Sequence, residues 1–226
     1  MRAGFSLFTR PRLCPGCASH PGAAAVLTGN ETLCIACRRE LTHVTPVRPS
    51  PSVSGVPDCV AAGPYTGALR QCIVAFKDRG RPELRMQLGA MLARLADALS
   101  RGPTILVPVP ASSSARRRRG YCHVTLLCKV IVAHVPRAAV ASVLSSRSKP
   151  DFSGMGRAQR QEAAVTSIRV RAGRAVRVAR TVTACGAAVL LVDDIVTSGA
   201  TLAAAAAQLR ECQLMPDAAI ALAATI

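Results

Sequence analysis

The chain contains no tryptophan, two tyrosines and four phenylalanines, and its 12 acidic residues are far outnumbered by 29 basic ones. So few aromatic rings leave little surface on which single-stranded bases could stack. Any contact with nucleic acid should therefore depend on phosphate groups and weaken steeply with salt. The formal net charge of +17 favours binding of a polyanion or of a multiply phosphorylated ligand. However, 26 of the 29 basic residues are arginine, an excess that a GC-rich coding bias would also produce.

Long apolar runs are also missing. The longest nearly apolar stretches, residues 199–209 and 214–226, are well short of the ~20 residues that a membrane-spanning helix needs. Residues 1–12 lack the apolar segment and the small-residue cleavage site of an export signal. We therefore expect no membrane span and a cytoplasmic location. In that compartment the ten cysteines are expected to be metal ligands and buried small hydrophobes rather than a disulfide framework.

Four of the cysteines have the spacing of a metal site. Cys14 and Cys17 form one C-x₂-C pair, and Cys34 and Cys37 form a second pair after a spacer of sixteen residues. Each C-x₂-C turn directs two thiolates to one point, and tetrahedral Zn²⁺ accommodates two such turns. The sequence therefore predicts a structural zinc site with four cysteine ligands near the N-terminus.

Composition changes after this zinc module. Residues 45–57 are rich in Pro, Ser and Val, which is typical of a linker. We therefore predict an N-terminal zinc-binding module and linker over residues 1–50 and a main domain over residues 51–226.

Strand-like and helix-like segments alternate in the main domain. The apolar patterns predict one helix that ends near residue 76. They predict three further helices over residues 82–100, 120–134 and 198–213. They predict strands over residues 104–110, 138–144, 165–170, 187–193 and 218–225. This alternation argues for an α/β fold with a mostly parallel sheet flanked by helices, and with a ligand at the carboxyl ends of the strands.

The most informative segment lies at the end of the strand predicted over residues 187–193. Four apolar residues lead into Asp193 and Asp194. The turn that follows is made of small and hydroxyl-bearing residues: Thr197, Ser198, Gly199, Ala200 and Thr201. Backbone N–H groups at a helix start favour a phosphate, and hydroxyls suit phosphate oxygens. Ionised carboxylates accept hydrogen bonds from sugar hydroxyls and suit a Mg²⁺ ion beside them.

Other strand, turn and helix combinations explain this segment less well. In the simplest alternative, the acidic pair only caps the turn of an ordinary α/β unit. A receiver-type phosphoacceptor would need a further acidic pair upstream, and the sequence has none there. A nucleotide triphosphatase would need a G-x-x-x-x-G-K-[ST] run, which is also absent.

The segment resembles the 5-phosphoribosyl-1-pyrophosphate (PRPP) motif of type I phosphoribosyltransferases, an apolar run, two acidic residues, two variable positions and Thr-Thr/Ser-Gly-x-Thr. Over nearly its full length the chain resembles the ComF family of competence-associated phosphoribosyltransferase-like proteins. Besides the zinc module and this motif, the resemblance is carried by Tyr65, Gly67, Leu69, Arg70, Lys77, Pro108 to Pro110, Arg119-Gly120-Tyr121, Arg147 and Arg160. Cys122 and His123 stand where the family usually has Asn-Gln, and the Gln and Asn expected around Phe152 and Ala163 are absent.

The resemblance implies a type I phosphoribosyltransferase-like domain that binds PRPP or a related ribose phosphate together with Mg²⁺. It implies catalytic roles for Asp193, Asp194 and Arg119. Substrate contacts are implied for the turn and for three residues upstream: Lys77, Ser112 and Arg116. It also implies a role in DNA uptake beside a DNA-translocating ATPase. Two other functions stay open, a catalytically inactive protein that binds single-stranded DNA and a nucleobase salvage phosphoribosyltransferase.

Overall fold

The computed structural model describes residues 12–17, 26–27, 32–49, 55, 58–111, 120–146 and 167–225. Its architecture is α/β, as predicted. The strands are β1 (Arg12–Leu13), β2 (Val26–Leu27), β3 (Cys59–Pro64), β4 (Thr104–Pro108), β5 (Ala138–Val140), β6 (Leu144–Ser146), β7 (Ile168–Val170), β8 (Ala188–Val196) and β9 (Ala218–Ala224). The helices are α1 (Ile35–His43), α2 (Gly67–Asp78), α3 (Arg85–Leu99), α4 (His123–His134), α5 (Ala172–Cys185) and α6 (Ala200–Arg210).

The main sheet has five strands in the order β3-β9-β8-β4-β5, and every neighbouring pair in it is parallel. The central strands β8 and β9 are buried almost throughout, because helices cover both faces of the sheet. Leu190 and Ile220 pack in the core that contains α2, α3 and α4. Leu191 and Ala221 pack in the core that contains α5 and α6. The sheet is therefore the middle layer of three.

Helices α3 and α4 approach each other closely at Gly89. A Cβ atom at this position would lie 2.5 Å from the Cβ atom of Val130, closer than two carbon atoms normally approach. Glycine at position 89 therefore sets the spacing between the two helices.

The N-terminal segment packs directly on the main sheet and on α2. Oε1 of Glu40 in α1 accepts a hydrogen bond of 2.8 Å from the backbone N–H of Ala68 in the first turn of α2. Val47 and Ala61 form an antiparallel bridge along the outer side of β3, with N–O distances of 2.9 and 2.8 Å. Part of the predicted linker is thus held against the first strand of the main sheet.

Several predicted boundaries were wrong. The strand predicted over residues 187–193 continues to Val196, because Ile195 and Val196 extend its pairing with β9. The segment predicted as one strand over residues 138–144 is divided between β5 and β6. Helix α4 begins at His123 instead of residue 120, and α6 begins at Ala200 instead of residue 198. Helix α5 was not predicted.

The remaining elements follow the predictions closely. A strand ends at Pro108, a helix spans most of residues 82–100, and β9 closes the sheet. The strand predicted over residues 165–170 corresponds to β7, and residues 165–166 lie outside the described part of the chain. None of the helices in the described ranges has the length and apolar character needed to cross a bilayer.

Candidate functional site

The four predicted zinc ligands lie together. The sulfur atoms of Cys14, Cys17, Cys34 and Cys37 are all within 4.8 Å of one another. The Sγ atoms of Cys17 and Cys34 are 3.8 Å apart. Two thiolates bound to tetrahedral Zn²⁺ at the usual Zn–S distance lie about 3.8 Å apart. The cluster is therefore compatible with a structural zinc site.

Local backbone contacts hold the cysteines in place. The backbone N–H of Cys34 donates a hydrogen bond of 3.3 Å to Sγ of Cys14. A Cβ atom at Gly16 would lie 2.8 Å from Sγ of Cys37, so the first turn needs glycine there. Burial raises the pKa of the Cys17 thiol to about 11 and also raises the pKa of Cys37. A Zn²⁺ ion at this cluster would supply the positive charge that stabilises such thiols as thiolates.

Asp193 and Asp194 are both buried within β8, with 8% and 5% of their surface exposed. Successive side chains of a strand face opposite sides of the sheet. Asp194 contacts α2 and α4. Asp193 lies on the other side, near Cys59 of the core that contains α5 and α6. Burial and, to a smaller extent, the charge of Asp193 raise the pKa of Cys59 to about 11.

Asp194 is held by two basic side chains. Its Oδ2 atom lies 2.5 Å from Nζ of Lys77 and 2.9 Å from Nε2 of His123. Its Oδ1 atom accepts a hydrogen bond of 2.9 Å from the backbone N–H of Ile195. Burial acts to raise the pKa of Asp194, but Lys77 and His123 outweigh it and hold this pKa well below its usual range. Asp194 is therefore ionised at neutral pH.

Asp193 has the opposite electrostatic character. Its Oδ1 atom accepts a hydrogen bond of 2.8 Å from the backbone N–H of Asp194. Burial and the adjacent charge of Asp194 raise the pKa of Asp193 well above its usual range. Neighbouring carboxyl groups with pKa values displaced in opposite directions are frequent at functional sites.

An aromatic contact positions the two basic side chains. The ring of Phe76, next to Lys77 in α2, has its centroid 6.0 Å from that of Tyr121 and 6.4 Å from that of His123. The hydroxyl of Tyr121 donates a hydrogen bond of 2.5 Å to the backbone carbonyl of Phe76. These contacts tie the end of α2 to the start of α4, and both helices then reach Asp194.

The turn after β8 is exposed at its first two residues, and its third residue, Gly199, is buried. Thr197 and Ser198 are exposed, and Gly199 has a φ of +69°, a left-handed conformation that favours glycine. Gly199 is the N-cap of α6, and no side chain caps this helix. The first backbone N–H groups of α6 therefore have no acceptor within the helix. The helix starts at the carboxyl end of β8, close in sequence to the carboxylate pair.

The structure brings Lys77 to Asp194, but three predicted residues, Ser112, Arg116 and Arg119, lie outside the described part of the chain. His123 was not predicted as a site residue. Its position in sequence carried a signal, because it occupies the place of the Gln that the ComF family usually has after its Arg-Gly-aromatic sequence.

Comparison with known proteins does not assign the chain to a family. No family model matches it, and no curated protein matches it significantly.

Proposed function

We propose that the chain is a ComF-like protein whose type I phosphoribosyltransferase-like domain binds PRPP or a related ribose phosphate. The observation that carries the proposal is the coincidence of two features at the carboxyl end of β8. One is the uncapped start of α6, which directly follows the exposed residues Thr197 and Ser198, and the other is the pair Asp193 and Asp194. A sugar phosphate has the matching chemistry, because its phosphate is anionic and its hydroxyls donate hydrogen bonds.

Each part of such a ligand has a partner in this proposal. The terminal phosphate accepts hydrogen bonds from the backbone N–H groups of residues 199–201 and from the hydroxyls of the turn. A ribose hydroxyl donates to Asp194, which lies on the face of the sheet that carries Lys77. Lys77 is assigned to the pyrophosphate, because its side chain is 27% exposed although its ammonium group pairs with the buried Asp194.

Within the described residues, this end of the sheet has no carboxylates free to bind Mg²⁺ on their own. Asp194 is engaged by Lys77 and His123. The raised pKa of Asp193 disfavours the ionised form that Mg²⁺ requires. A magnesium ion at this site would therefore arrive with the pyrophosphate of PRPP.

A phosphoribosyl transfer here breaks the bond between C1 of the ribose and pyrophosphate and forms a bond between C1 and an acceptor. Negative charge then grows on the departing pyrophosphate, so that adjacent cations lower the barrier. Lys77 is the described cation nearest the carboxylate pair. For Arg116 and Arg119 this role remains a prediction from the resemblance.

Thermal unfolding tests the proposal. PRPP at about 100 times its Kd should stabilise the wild-type chain by ~2.7 kcal/mol. For a domain of this length that is a rise in Tm of roughly 5–10 °C. Thr201→Val should weaken binding roughly tenfold or more, because a hydroxyl bonded to a charged phosphate is lost. Thr181→Val, an exposed position on α5, is the matched control. Absence of any shift for the wild-type chain with PRPP and Mg²⁺ would sink the proposal.

A second candidate function, binding of single-stranded DNA, is favoured by the surface of α5. Three exposed arginines recur there at every third position, and we refer to Arg174, Arg177 and Arg180 as the arginine row. Residues 167–192 contain no Asp or Glu, so their sequence supplies no opposing charge. Such a surface suits phosphate contacts. By resemblance, this function would serve DNA uptake beside a DNA-translocating ATPase.

A salt titration of oligonucleotide binding tests this second candidate. Replacing all three arginines of the row by serine should reduce the slope of log affinity against log salt concentration by about 2, because each phosphate contact contributes about 0.7 for a single strand. Asp194→Asn should leave the slope unchanged. An unchanged slope in the triple variant contradicts a role for the row.

A further inference from the structure

A cleft of about 330 Å³ lies beside β4, on the side away from β8. The end of β4 and the loop after it form one wall, the first turn of α4 forms the second, and β6 with the residue before α5 forms the third. The residues that line it are Pro108, Pro110, Ala111, Cys122, Thr125, Ser142, Leu144, Ser145, Ser146 and Arg171. None of them belongs to β8, to α6 or to the turn between these two elements.

The lining has two chemical parts. Apolar groups come from Pro108, Pro110 and Leu144, which offer flat or branched surfaces to a ring. Hydroxyl groups come from Thr125 and from the serines of the third wall. The guanidinium of Arg171 supplies the positive charge, since arginine is always protonated.

The position of Arg171 is fixed by backbone pairing. Leu144 of β6 pairs with Val170 of β7, and the backbone N–H of Arg171 donates a hydrogen bond of 2.7 Å to the carbonyl of Val143. Arg171 therefore lies beside Val143, the residue just before β6. Among the described residues, no ion pair or hydrogen bond engages its guanidinium group.

Acidic residues are missing from the described segments around the cleft. The segments that build it, residues 104–111, 120–146 and 167–171, contain no Asp or Glu. An anionic ligand therefore meets no nearby acidic side chain from these elements. Arginine with surrounding hydroxyls is a combination that suits phosphate oxygens.

We propose that this cleft is a second small-molecule site and that it binds a phosphomonoester carrying a flat ring, of which a nucleoside 5′-monophosphate is the simplest example. The phosphate contacts Arg171 and the hydroxyls, and the ring lies on the proline and leucine surface. The volume is within the range of about 300–1,000 Å³ that is usual for small-molecule sites. The proposal does not depend on PRPP binding at the turn after β8.

Calorimetric titration of the full chain with uridine 5′-monophosphate tests the proposal. Arg171→Ser should weaken binding roughly tenfold or more, because a charge-assisted contact is lost. Ser142→Asp should weaken it as well, through repulsion of the phosphate at the rim of the cleft. Arg94→Ser, which removes the same charge from an exposed position on α3, is the matched control and should leave the affinity unchanged.

Thr201→Val separates the two sites. Uridine monophosphate bound in the cleft keeps its affinity in this variant, whereas a nucleotide bound at the turn after β8 loses it. Uridine and inorganic phosphate should each bind more weakly than the monophosphate.

Several outcomes overturn the proposal. They are equal losses in Arg171→Ser and Arg94→Ser, equal affinity for uridine and its monophosphate, and no binding of the monophosphate by the wild-type chain. Binding of an oligonucleotide without binding of the mononucleotide also overturns it and assigns the surface to nucleic acid.

Discussion

Glu40 connects α1, which carries Cys37 of the cysteine cluster, to the helix that carries Lys77, and replacing Glu40 should change stability measurably. Helix α2 has no side-chain cap from its own N-cap residue and no acidic residue in its first turn. The carboxylate of Glu40 in α1 supplies both functions through its hydrogen bond to Ala68. A helix cap contributes about 1 kcal/mol, and a negative charge near a helix start adds about 0.3–1 kcal/mol.

The Glu40→Ala variant should therefore lose about 1–2 kcal/mol of unfolding free energy. In a chain of this length that corresponds to a fall in Tm of roughly 3–6 °C. Glu40→Gln keeps an acceptor but loses the charge, so its Tm should fall by less than half as much. Glu211→Ala, at an exposed position after α6, is the control and should change the unfolding free energy by at most ~0.5 kcal/mol.

Measuring the unfolding free energy of zinc-free protein tests whether the metal positions α1. If the metal cluster positions α1, then the cost of Glu40→Ala should nearly vanish after chelation or in a Cys17→Ser background. An equal cost with and without zinc would show that α1 holds its place independently of the metal. A loss in Glu40→Ala no larger than that of the Glu211→Ala control would refute the capping role itself.

Two further variants probe the packing of α3 on α4 and the buried ion pair. Gly89→Ala should destabilise the chain by ~1–3 kcal/mol in urea unfolding, since the new Cβ atom meets Val130. Gly173→Ala in α5 is the control; the space around Gly173 is open, so this change should be neutral or slightly stabilising. Asp194→Asn should cost about 2 kcal/mol at pH 7, below the ~3–5 kcal/mol of a fully buried pair, because it removes a carboxylate that pairs with the partly exposed ammonium of Lys77. The folded-state pKa of Asp194 is depressed, so its contribution exists above the unfolded pKa of about 4 and declines as pH falls further. A gap between wild type and variant that is constant from pH 7 to pH 3 contradicts this assignment.

The sequence predicted the elements whose patterns are local. The cysteine spacing predicted the cysteine cluster, and the apolar run before Asp193 predicted a buried strand. The end of that strand was misplaced because an acidic pair usually marks the edge of a sheet. Here Lys77 and His123 compensate the buried charge of Asp194, which allows Ile195 and Val196 to continue the strand.

Two other features depend on contacts that no local pattern encodes. The meeting of Lys77 and His123 joins residues far apart in sequence, and only the packing of α2 against α4 brings them to one oxygen atom. Helix α5 was missed although Gly186, with a φ of +64°, is the left-handed residue that commonly ends a helix. Its arginines, which are exposed, obscured the apolar stripe that contains Ala175 and Ala179.

The bridge between Val47 and Ala61 has a consequence for behaviour at high concentration. Without it, the outer side of β3 would present unpaired N–H and C=O groups, on which strands of other molecules can assemble. At the opposite margin of the sheet, β5 is only three residues long, which offers little template for such pairing. Residues near Val47 thus cover the edge of β3 and reduce self-association. A shortened chain that begins just before β3 should aggregate even if every ligand-binding residue is kept.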